Sequence, residues 1–387
     1  MATQEVIALV NSRVLGEHGS REGQIVLLQG ERILAVTGRD DPRIAQARQH
    51  DLQGHLLLPG FIDVQVNGGG GVLFNETPTV DALRAIAAAH RKFGTTGMLP
   101  TLITDTPEVM HAALKAVNEA IEQGVPGILG IHVEGPFLAA ARKGIHNADL
   151  FRLPDADDLR ALTHGNRGVV MLTLAPEQVS HDVIRQLSEA GVVVVAGHTA
   201  ADYATTRAAL DAGISGFTHL YNAMTPLGSR DPGVVGAALD DPHSWCGLIV
   251  DLHHVHPASL RIAIAAKARG KSVLVTDAMP PVGSANASYV LNGQTITARD
   301  GICQSDDGVL AGSALDMATG VRNLVQVVGL PLAEASRMAS AYPAAWIGCE
   351  RQQGQLVAGQ RADFVVMDDA LMVKETWIGG VSDIADR

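Results

Sequence analysis

The sequence predicts an α/β protein built on a (β/α)8 barrel, with a small β-sandwich domain assembled from both ends of the chain. Eight short apolar segments in the middle of the chain alternate with amphipathic segments that carry Ala and Leu at helical spacing. This alternation is typical of a closed parallel barrel rather than an open sheet. Further strand-like segments lie near both ends of the chain, and two such pieces most simply pair into one domain.

The strands of the small domain are short and are separated by glycines. The first residues contain apolar runs at 6–10, 25–28 and 32–36, and Gly30-Glu31 between the last two is typical of a hairpin turn. The end of the chain has the same β character, from Gly354 onwards. We therefore predict a sandwich domain of residues 1–57 plus 354–387 and a barrel domain of residues 58–353.

The barrel pattern can be assigned element by element. A β-rich insertion at 283–310 interrupts it after the last strand. The predicted strands are 61–66, 96–101, 128–134, 169–174, 192–197, 216–220, 246–251 and 273–277, and the predicted helices include 79–93, 106–123, 180–190, 202–212 and 257–269.

Composition excludes several classes of protein. No run of 18 apolar residues occurs, so we expect no membrane span, and the first residues lack the basic and apolar regions of a secretory signal. Three scattered cysteines are too few for a disulfide framework or a CxxC zinc site. A net charge of -12 argues against a nucleic-acid surface. We expect a cytoplasmic protein, and an anionic substrate would have to be held by a few local cations.

Four polar residues end predicted barrel strands. Glu134 closes an apolar run, and Gly135-Pro136 then forbids further regular pairing. His198, His219 and Asp277 end three later strands in the same way. The carboxyl ends of barrel strands face the active site, and a buried Glu is costly unless a cation meets it.

This set of residues predicts a catalytic metal centre. Two imidazoles and one carboxylate, from His198, His219 and Glu134, suit a zinc-type or iron-type site with a position open for water. Such an ion lowers the pKa of water from about 16 to about 7. Asp277 is then placed to take the proton of the water and to pass it to a leaving amine.

Each of these residues also has a simpler interpretation. A single strand-end histidine is more often a hydrogen-bonded core residue than a ligand. Glu134 could pair with Arg142 or Lys143, and Asp277 could cap a helix or a turn. The four residues occur together at strand ends of one predicted barrel, and this coincidence favours the metal site.

The motifs resemble those of the amidohydrolase superfamily and, within it, the N-acetylglucosamine-6-phosphate deacetylase family. The Glu-Gly-Pro-Phe and His-Leu-Tyr-Asn-Ala-Met segments are specific to that family, whereas Pro-Gly-Phe-Ile-Asp marks only the superfamily. The resemblance covers almost the whole chain in order. Its segments are 59–63, 132–137, 143–147, 197–199, 218–224, 275–278 and 312–315.

The resemblance implies a reaction and roles for individual residues. The reaction is hydrolysis of the N-acetyl group of a phosphorylated amino sugar. Glu134, His198 and His219 would hold the metal, and Asp277 would act first as general base and then as general acid. His146 would polarise the acetyl carbonyl, although a loop histidine held by hydrogen bonds is an alternative for this residue.

One departure from the superfamily bears on the number of metal ions. Many members carry His-x-His after Pro-Gly-Phe-Ile-Asp, and those histidines bind a second ion. Here Gln65-Val66-Asn67 stands in that place, and amides substitute poorly for imidazoles. We therefore predict one divalent ion per subunit, zinc before iron, cobalt or manganese.

The resemblance also implies how the substrate is bound. Backbone groups at Asn222 and Ala223 would face the phosphate. Arg230 would reach it from the neighbouring subunit of a homodimer, although Arg230 could instead be a surface charge beside Asp231. His254 is the second phosphate contact, with His253 as a competitor for that role. The residues assigned to the sugar and its acetyl group are Ile145, His146, Leu310, Ala311 and Gly312.

Two other functions remain open at this stage. Another amidohydrolase reaction, such as hydrolysis of a cyclic amide, of a nucleobase or of a related phosphorylated N-acyl amino sugar, would use the same barrel. A catalytically inactive sugar-phosphate binding protein would be expected to lose a metal ligand or Asp277, and all four are present.

Overall fold

Eight parallel strands form the centre of the molecule in a computed structural model that describes residues 5–16, 19–299, 301–305 and 308–386. Each strand is hydrogen-bonded to the strand that follows it in the chain. The strands are β1 (Phe61–Val66), β2 (Thr95–Ile103), β3 (Gly130–Glu134), β4 (Val169–Leu174), β5 (Val193–Ala196), β6 (Gly216–Phe217), β7 (Trp245–Ile249) and β8 (Ser272–Val275).

The sheet closes where the end of β8 meets β1. The backbone N–H of Asp277 donates to the carbonyl of Gln65 at 3.0 Å, and Val66 and Ala278 form a parallel bridge. Below this contact the buried Asp63 carboxylate accepts hydrogen bonds from the hydroxyl and the backbone N–H of Thr276. Burial raises the pKa of Asp63 to about 7, against the effect of these hydrogen bonds. Polar contacts in the interior therefore fasten the first strand to the last.

Helices connect consecutive strands and cover the barrel. Several begin at a side-chain N-cap, among them Thr79, Ser180 and Asp202, each of which accepts a hydrogen bond from a backbone N–H of the first turn. The helices are α1 (Val80–Arg91), α2 (Pro107–Glu122), α3 (Ala156–Thr163), α4 (His181–Glu189), α5 (Tyr203–Ala212), α6 (Gly233–Asp240), α7 (Pro257–Ala266), α8 (Met317–Asn323), α9 (Leu332–Ala339) and α10 (Ala341–Trp346).

Strands from both ends of the chain pair into a small β domain, as predicted. A four-stranded sheet contains only amino-terminal strands, whereas a six-stranded sheet joins Leu56–Pro59 to the carboxyl-terminal strand Phe364–Met367. The strands of the two sheets are Val6–Val10, Arg13–Gly16, Gly19–Glu22, Gln24–Gln29, Arg32–Gly38, Arg48–Asp51, Leu56–Pro59, Phe364–Met367, Val373–Ile378 and Val381–Ser382.

We propose that the first boundary between the two domains lies slightly later than residue 58. Leu56–Pro59 is a continuous strand of the small domain, and β1 begins at Phe61. Gly60, which lies between these two strands, is the proposed boundary residue. The first and last few residues of the predicted domain, 1–4 and 387, lie outside the described residues.

The predicted β-rich insertion forms a four-stranded antiparallel sheet after β8. It returns to the barrel because the backbone N–H of Ser313 donates to the carbonyl of Asp277 at 2.9 Å. A short hairpin, Gly68–Gly69 with Val72–Leu73, follows β1. The strands of the insertion are Ser288–Leu291, Gln294–Arg299, Ile302–Ser305 and Leu310–Ser313.

The predicted elements are present, with bounds that differ by a few residues. Among the predicted strands and helices of the barrel the largest differences are three residues, at α7, which ends at Ala266 rather than 269, and at β6, which covers only Gly216–Phe217 rather than 216–220. The backbone leaves the strand there because His219 adopts a left-handed conformation. The predicted helices named above did not include α3, which is short and rich in charged residues, or α6, whose N-cap residue Pro232 offers no side-chain cap. They also did not include α8, α9 and α10. None of the helices in the described ranges is both long and apolar enough to cross a membrane.

The contact that closes the barrel is testable through Thr276. Replacing Thr276 with Val removes the hydroxyl that donates to Asp63 and leaves a buried carboxylate short of a donor. We expect this variant to lose about 1–3 kcal/mol of unfolding free energy. Denaturant unfolding followed by circular dichroism measures the change. Thr276→Ser keeps the hydroxyl and should lose much less, and equal losses in the two variants would contradict this role.

Candidate metal centre

The four strand-end residues share one rim of the barrel. Glu134 is the last residue of β3, and His198, His219 and Asp277 each lie two residues beyond the end of β5, β6 and β8. These three have φ angles of 47°, 32° and 53°, a left-handed conformation that is uncommon for residues other than glycine. Such strain persists only where the surrounding structure holds it, and it concentrates at functional sites.

Backbone hydrogen bonds hold the two histidine loops in this conformation. The carbonyl of His198 accepts from the backbone N–H of Ala139, and the N–H of Thr199 donates to the carbonyl of Ala223. The carboxylate of Glu177, from the loop after β4, accepts from the Thr199 hydroxyl and the Ala200 backbone N–H. The loops that carry His198 and His219 are therefore tied to each other and to the neighbouring strand.

The side chains of Glu134, His198 and His219 converge on one point. Glu134 Oε1 lies 3.1 Å from His198 Nε2 and 3.0 Å from His219 Nε2, and the two Nε2 atoms are 3.1 Å apart. All three residues are buried. They form the one group of potential metal ligands found in the described ranges, 5–386 with short gaps.

The chemistry of this donor set fits a divalent metal ion. His198 Nδ1 donates to the carbonyl of Arg142 at 2.9 Å, which leaves the Nε2 lone pair of the neutral ring facing Glu134. Ligands at about 2.0–2.1 Å from a tetrahedral ion are about 3.3 Å apart, close to the observed spacings. Without a cation, an oxygen and two nitrogens with lone pairs would crowd together. The three residues therefore suit an ion that leaves further positions open.

The electrostatics of the group show how strongly its members interact. With no cation between them, hydrogen bonds from His198 and His219 hold the pKa of Glu134 well below its usual range, although burial alone would raise it. Burial would lower the pKa of His219, but the hydrogen bond and charge of Glu134 raise it. Glu134 makes no ion pair with Arg142 or Lys143 among the described contacts, so the alternative interpretation of this residue is not supported.

Asp277 lies beside the three residues without being one of them. Its Oδ1 accepts from Asn67 Nδ2 at 2.6 Å and from Gln65 Nε2 at 3.2 Å. Burial and the charge of Glu134 raise the pKa of Asp277 to about 6. Its side chain caps no helix, and it lines the same cavity as Glu134.

His146 packs against the metal-site histidines. Its ring centroid is 4.3 Å from that of His198. Its Nδ1 lies 2.8 Å from the hydroxyl of Thr104 and accepts from the backbone N–H of Thr104, a group that can only donate, at 3.3 Å. A neutral ring that accepts at Nδ1 carries its proton on Nε2. Burial and the charge of His198 lower the pKa of His146 to about 3, so the ring is neutral at ordinary pH. A neutral imidazole with a free Nε2–H is a hydrogen-bond donor for a carbonyl oxygen.

A cavity of about 530 Å³ opens over these side chains. Seven of the nine residues predicted to bind substrate line it, and Ala311 and Arg230 do not. Ala311 is fully buried, and its carbonyl accepts from the hydroxyl of Tyr289. Arg230 is exposed and lies outside the cavity of its own chain. The predicted residues that line the cavity are Ile145, His146, Asn222, Ala223, His254, Leu310 and Gly312.

His254, rather than His253, turns into the cavity. Its Nδ1 donates to Asp251 Oδ2 at 2.6 Å, and the other oxygen of Asp251 accepts from the backbone N–H groups of both histidines. Nε2 is therefore the nitrogen available to a ligand. His253 is exposed and is not among the residues that line the cavity.

The backbone at 222–223 differs from the expected anion site in one respect. The N–H of Asn222 donates to the carbonyl of His219 at 3.0 Å, so it is already used within the loop. In the described part of the chain, the N–H of Ala223 donates to no protein acceptor, and Ala223 has a left-handed φ of 50°. Of the two backbone groups predicted to face an anion, Ala223 is thus the one that remains available.

Sequence reasoning missed several residues of the site. Gln65 and Asn67 were interpreted only as missing metal ligands, yet both donate to Asp277. Thr104 and Asp251, which orient His146 and His254, carried no motif of their own. Their proximity to His146 and His254 depends on which loops meet at the rim of the barrel. Asp251 could have been found from the sequence, because it lies at the end of the predicted β7 segment just as Glu134 lies at the end of β3.

Comparisons with known proteins agree with this geometry. The model of the Amidohydrolase family matches residues 56–382. The chain is 46% identical, over 87% of its length and 85% of the relative, to a protein of Shewanella sp. (strain ANA-3) named N-acetylgalactosamine-6-phosphate deacetylase. It is 38% identical, over 98% of its length and 96% of the relative, to N-acetylglucosamine-6-phosphate deacetylase of Homo sapiens. The crystal structure of N-acetylglucosamine-6-phosphate deacetylase from Pasteurella multocida matches with a TM-score of 0.93 at 36% identity, covering 97% of this chain and 99% of that one.

The metal centre predicts the ion content of the purified protein. We expect about one divalent ion per chain, because three ligands converge on one point. His219→Asn should lose the ion, since it removes a ligand while asparagine tolerates the left-handed backbone. His243→Ala, at an exposed histidine far from the ligand group, is the matched control. Elemental analysis after dialysis measures the content, and saturation at two ions per chain would refute a mononuclear site.

Proposed function

Because this chain belongs to the amidohydrolase family, we propose that it hydrolyses the N-acetyl group of N-acetylglucosamine 6-phosphate, releasing acetate and glucosamine 6-phosphate. The observation that carries the proposal is the convergence of Glu134, His198 and His219 beside Asp277 in one cavity. An inactive binding protein would have no need for both a complete ligand set and a buried carboxylate next to it.

We assign the ion to Glu134, His198 and His219, with zinc before iron, cobalt or manganese, because two imidazoles and a carboxylate suit zinc best. A divalent ion held there supplies an acidified water and a Lewis acid for the acetyl carbonyl. The remaining steps belong to side chains of the protein.

Asp277 is the proposed general base and general acid. Its carboxylate takes a proton from the attacking water, and the same proton then passes to the amino group as the amide bond breaks. Burial raises the pKa of Asp277 above its usual range, which favours uptake of the proton, and the carboxylic acid so formed then has a proton to donate. His146 donates from Nε2–H to the acetyl oxygen as negative charge develops there.

The phosphate is assigned to His254, Ala223 and a second subunit. Asp251 holds His254 with Nε2 toward the cavity, and the free N–H of Ala223 adds a neutral donor. Arg230 is exposed and outside the cavity of its own chain, which fits the proposal that it serves the site of a second copy in a homodimer. A charged sugar phosphate does not cross a bilayer unaided, so we place the reaction in the cytoplasm.

A second candidate substrate is the C4 epimer, N-acetylgalactosamine 6-phosphate. The observation that favours it is the higher identity to a relative named for that substrate, 46% against 38% for the Homo sapiens enzyme. The two sugars differ only at one hydroxyl, so the metal centre, Asp277 and the phosphate contacts would serve both. We propose that discrimination between the two epimers depends on Ile145, Leu310 and Gly312, the cavity residues assigned to the sugar.

Acetate release from the two 6-phosphates and from both unphosphorylated sugars tests the function. We expect turnover of at least one 6-phosphate, and the ratio of kcat/KM values between the epimers identifies the substrate. Asp277→Asn should bind the ion but lose about 10²–10⁴-fold in kcat, because it removes the base. Asp211→Asn, at an exposed acid of α5, is the control. Normal turnover by Asp277→Asn, or none by the wild-type protein on either 6-phosphate, would refute the proposal.

A pair of adjacent histidines tests the phosphate assignment. His254→Ala should raise KM for the 6-phosphate by about 10–100-fold, because a hydrogen bond to a charged group contributes about 1.5–3 kcal/mol. Its KM for the unphosphorylated sugar should change little. His253→Ala removes an exposed neighbour and should behave as the wild-type protein does. Initial-rate kinetics give both constants, and an equal effect of His254→Ala on both sugars would remove it from the phosphate site.

A further inference from the structure

We propose that Gln65 and Asn67 are positioning residues, whose carboxamides hold Asp277 by its Oδ1 so that Oδ2 faces the attacking water and the leaving amine. This inference rests on the proposed function, since it concerns the residue assigned there as general base. It gives a role to the two amides that stand where many superfamily members have metal-binding histidines.

The register between β1 and β8 brings these residues together. Asp63, Gln65 and Asn67 alternate along β1 and its extension, so their side chains point into the barrel. The backbone N–H of Asp277 donates to the carbonyl of Gln65, and the N–H of Asn67 donates to the carbonyl of Ala278. The closure of the barrel therefore sets both carboxamides beside the Asp277 carboxylate.

The contacts are directed to one oxygen of the carboxylate. Asn67 Nδ2 lies 2.6 Å and Gln65 Nε2 lies 3.2 Å from Asp277 Oδ1. Of the hydrogen bonds between described residues, none ends on Oδ2. Two donors on Oδ1 restrict rotation of the carboxyl group, and they leave Oδ2 as the oxygen that can exchange a proton.

Gln65 also ties the base to the metal centre. Its Nε2 lies 3.2 Å from Glu134 Oε2, the carboxylate oxygen that the two histidines do not contact. One amide group thus bridges a metal-binding carboxylate and Asp277. The bridge sets the relative position of the two carboxylates without adding a positive charge that would compete with the water for Oδ2.

Asn67 is not explained by stability alone. Its Oδ1 is buried and has no hydrogen-bond partner in the described part of the chain. An unpaired buried acceptor destabilises the folded state, a cost that an apolar residue would avoid. The side chain that carries this acceptor also lines the substrate cavity, and its other end makes the shortest contact to Asp277. The hydrogen bond from Asn67 Nδ2 to Asp277 therefore explains why an asparagine stands at this position.

The kinetic test compares Asn67→Ala with Asn118→Ala. Asn118 is a part-buried amide that accepts from the backbone of Arg167, far from the cavity. Asn67→Ala should lower kcat by about 10²-fold, the loss expected when a reacting group is misplaced by about 1 Å. KM and the ion content should stay close to those of the wild-type protein. Unchanged kcat, or loss of the ion, would overturn the proposal.

A double-mutant cycle tests whether the effect passes through Asp277. In the Asp277→Asn background, adding Asn67→Ala should cause no further loss of kcat, because residues that act as a unit are not additive. Calorimetric titration of the 6-phosphate into these two variants should give equal Kd values, which measures the site without turnover. A full additional loss of kcat, or weaker binding in the double variant, would show a general structural role and overturn the proposal.

Failure of this inference can be told apart from failure of the proposed function. If the wild-type protein released no acetate, the function would fail, and the crystal structure of Asn67→Ala would still test the positioning role. A carboxylate of Asp277 that turns away from its wild-type orientation supports the role. An unchanged orientation overturns it.

Discussion

Burial of one carboxylate and two imidazoles with their polar atoms about 3 Å apart is the constraint on which the rest of the structure depends. Groups removed from water in this way are costly unless their geometry is well held and their remaining atoms are paired. The protein holds them by leaving the strand pattern at His198, His219 and Asp277, where the backbone is left-handed. Glu134 reaches the common point from a regular strand, whereas His198 and His219 reach it from loops just beyond their strand ends, so the strained backbone belongs to the loops of the site. The closed barrel, with Asp63 and Thr276 fastening its seam, is what keeps that strain in place.

Neutral groups orient the charged ones throughout the cavity. Asp277 is held by two amides, and His146 by the backbone N–H of Thr104. Neither contact brings a charge, so the carboxylate remains able to accept a proton and the imidazole remains a neutral donor. His254 is the exception, because its partner is the carboxylate of Asp251. This difference is consistent with the proposal that His254 binds the phosphate and takes no part at the reacting amide.

The sequence was sufficient for most of the fold and for the residues that end strands. An apolar run that ends in Glu, His or Asp indicates both a strand and a candidate functional residue at its carboxyl end. The same pattern therefore identified Glu134, His198, His219 and Asp277. The backbone departure at 218–219 could not be foreseen, because the left-handed conformation of His219 is imposed by tertiary contacts. α6 was not among the predicted helices, and its N-cap residue Pro232 offers no side-chain cap. Gln65 and Asn67 were recognised only as absent ligands, since their donor role depends on the register of β1 against β8.

The charge distribution limits how the substrate can be recognised. The chain carries a net charge of -12, so its overall field repels an anionic sugar phosphate rather than steering it. Attraction must therefore come from short-range contacts, which salt screens less when they are buried. His254 and the N–H of Ala223 lie in the cavity wall, where a bound phosphate would displace water from both. The same cavity is lined by Asp277 and Glu134. In the proposed reaction the phosphate would be held by His254 and Ala223 and the acetyl group beside Asp277, so two contacts at different places in one cavity would fix the orientation of the sugar.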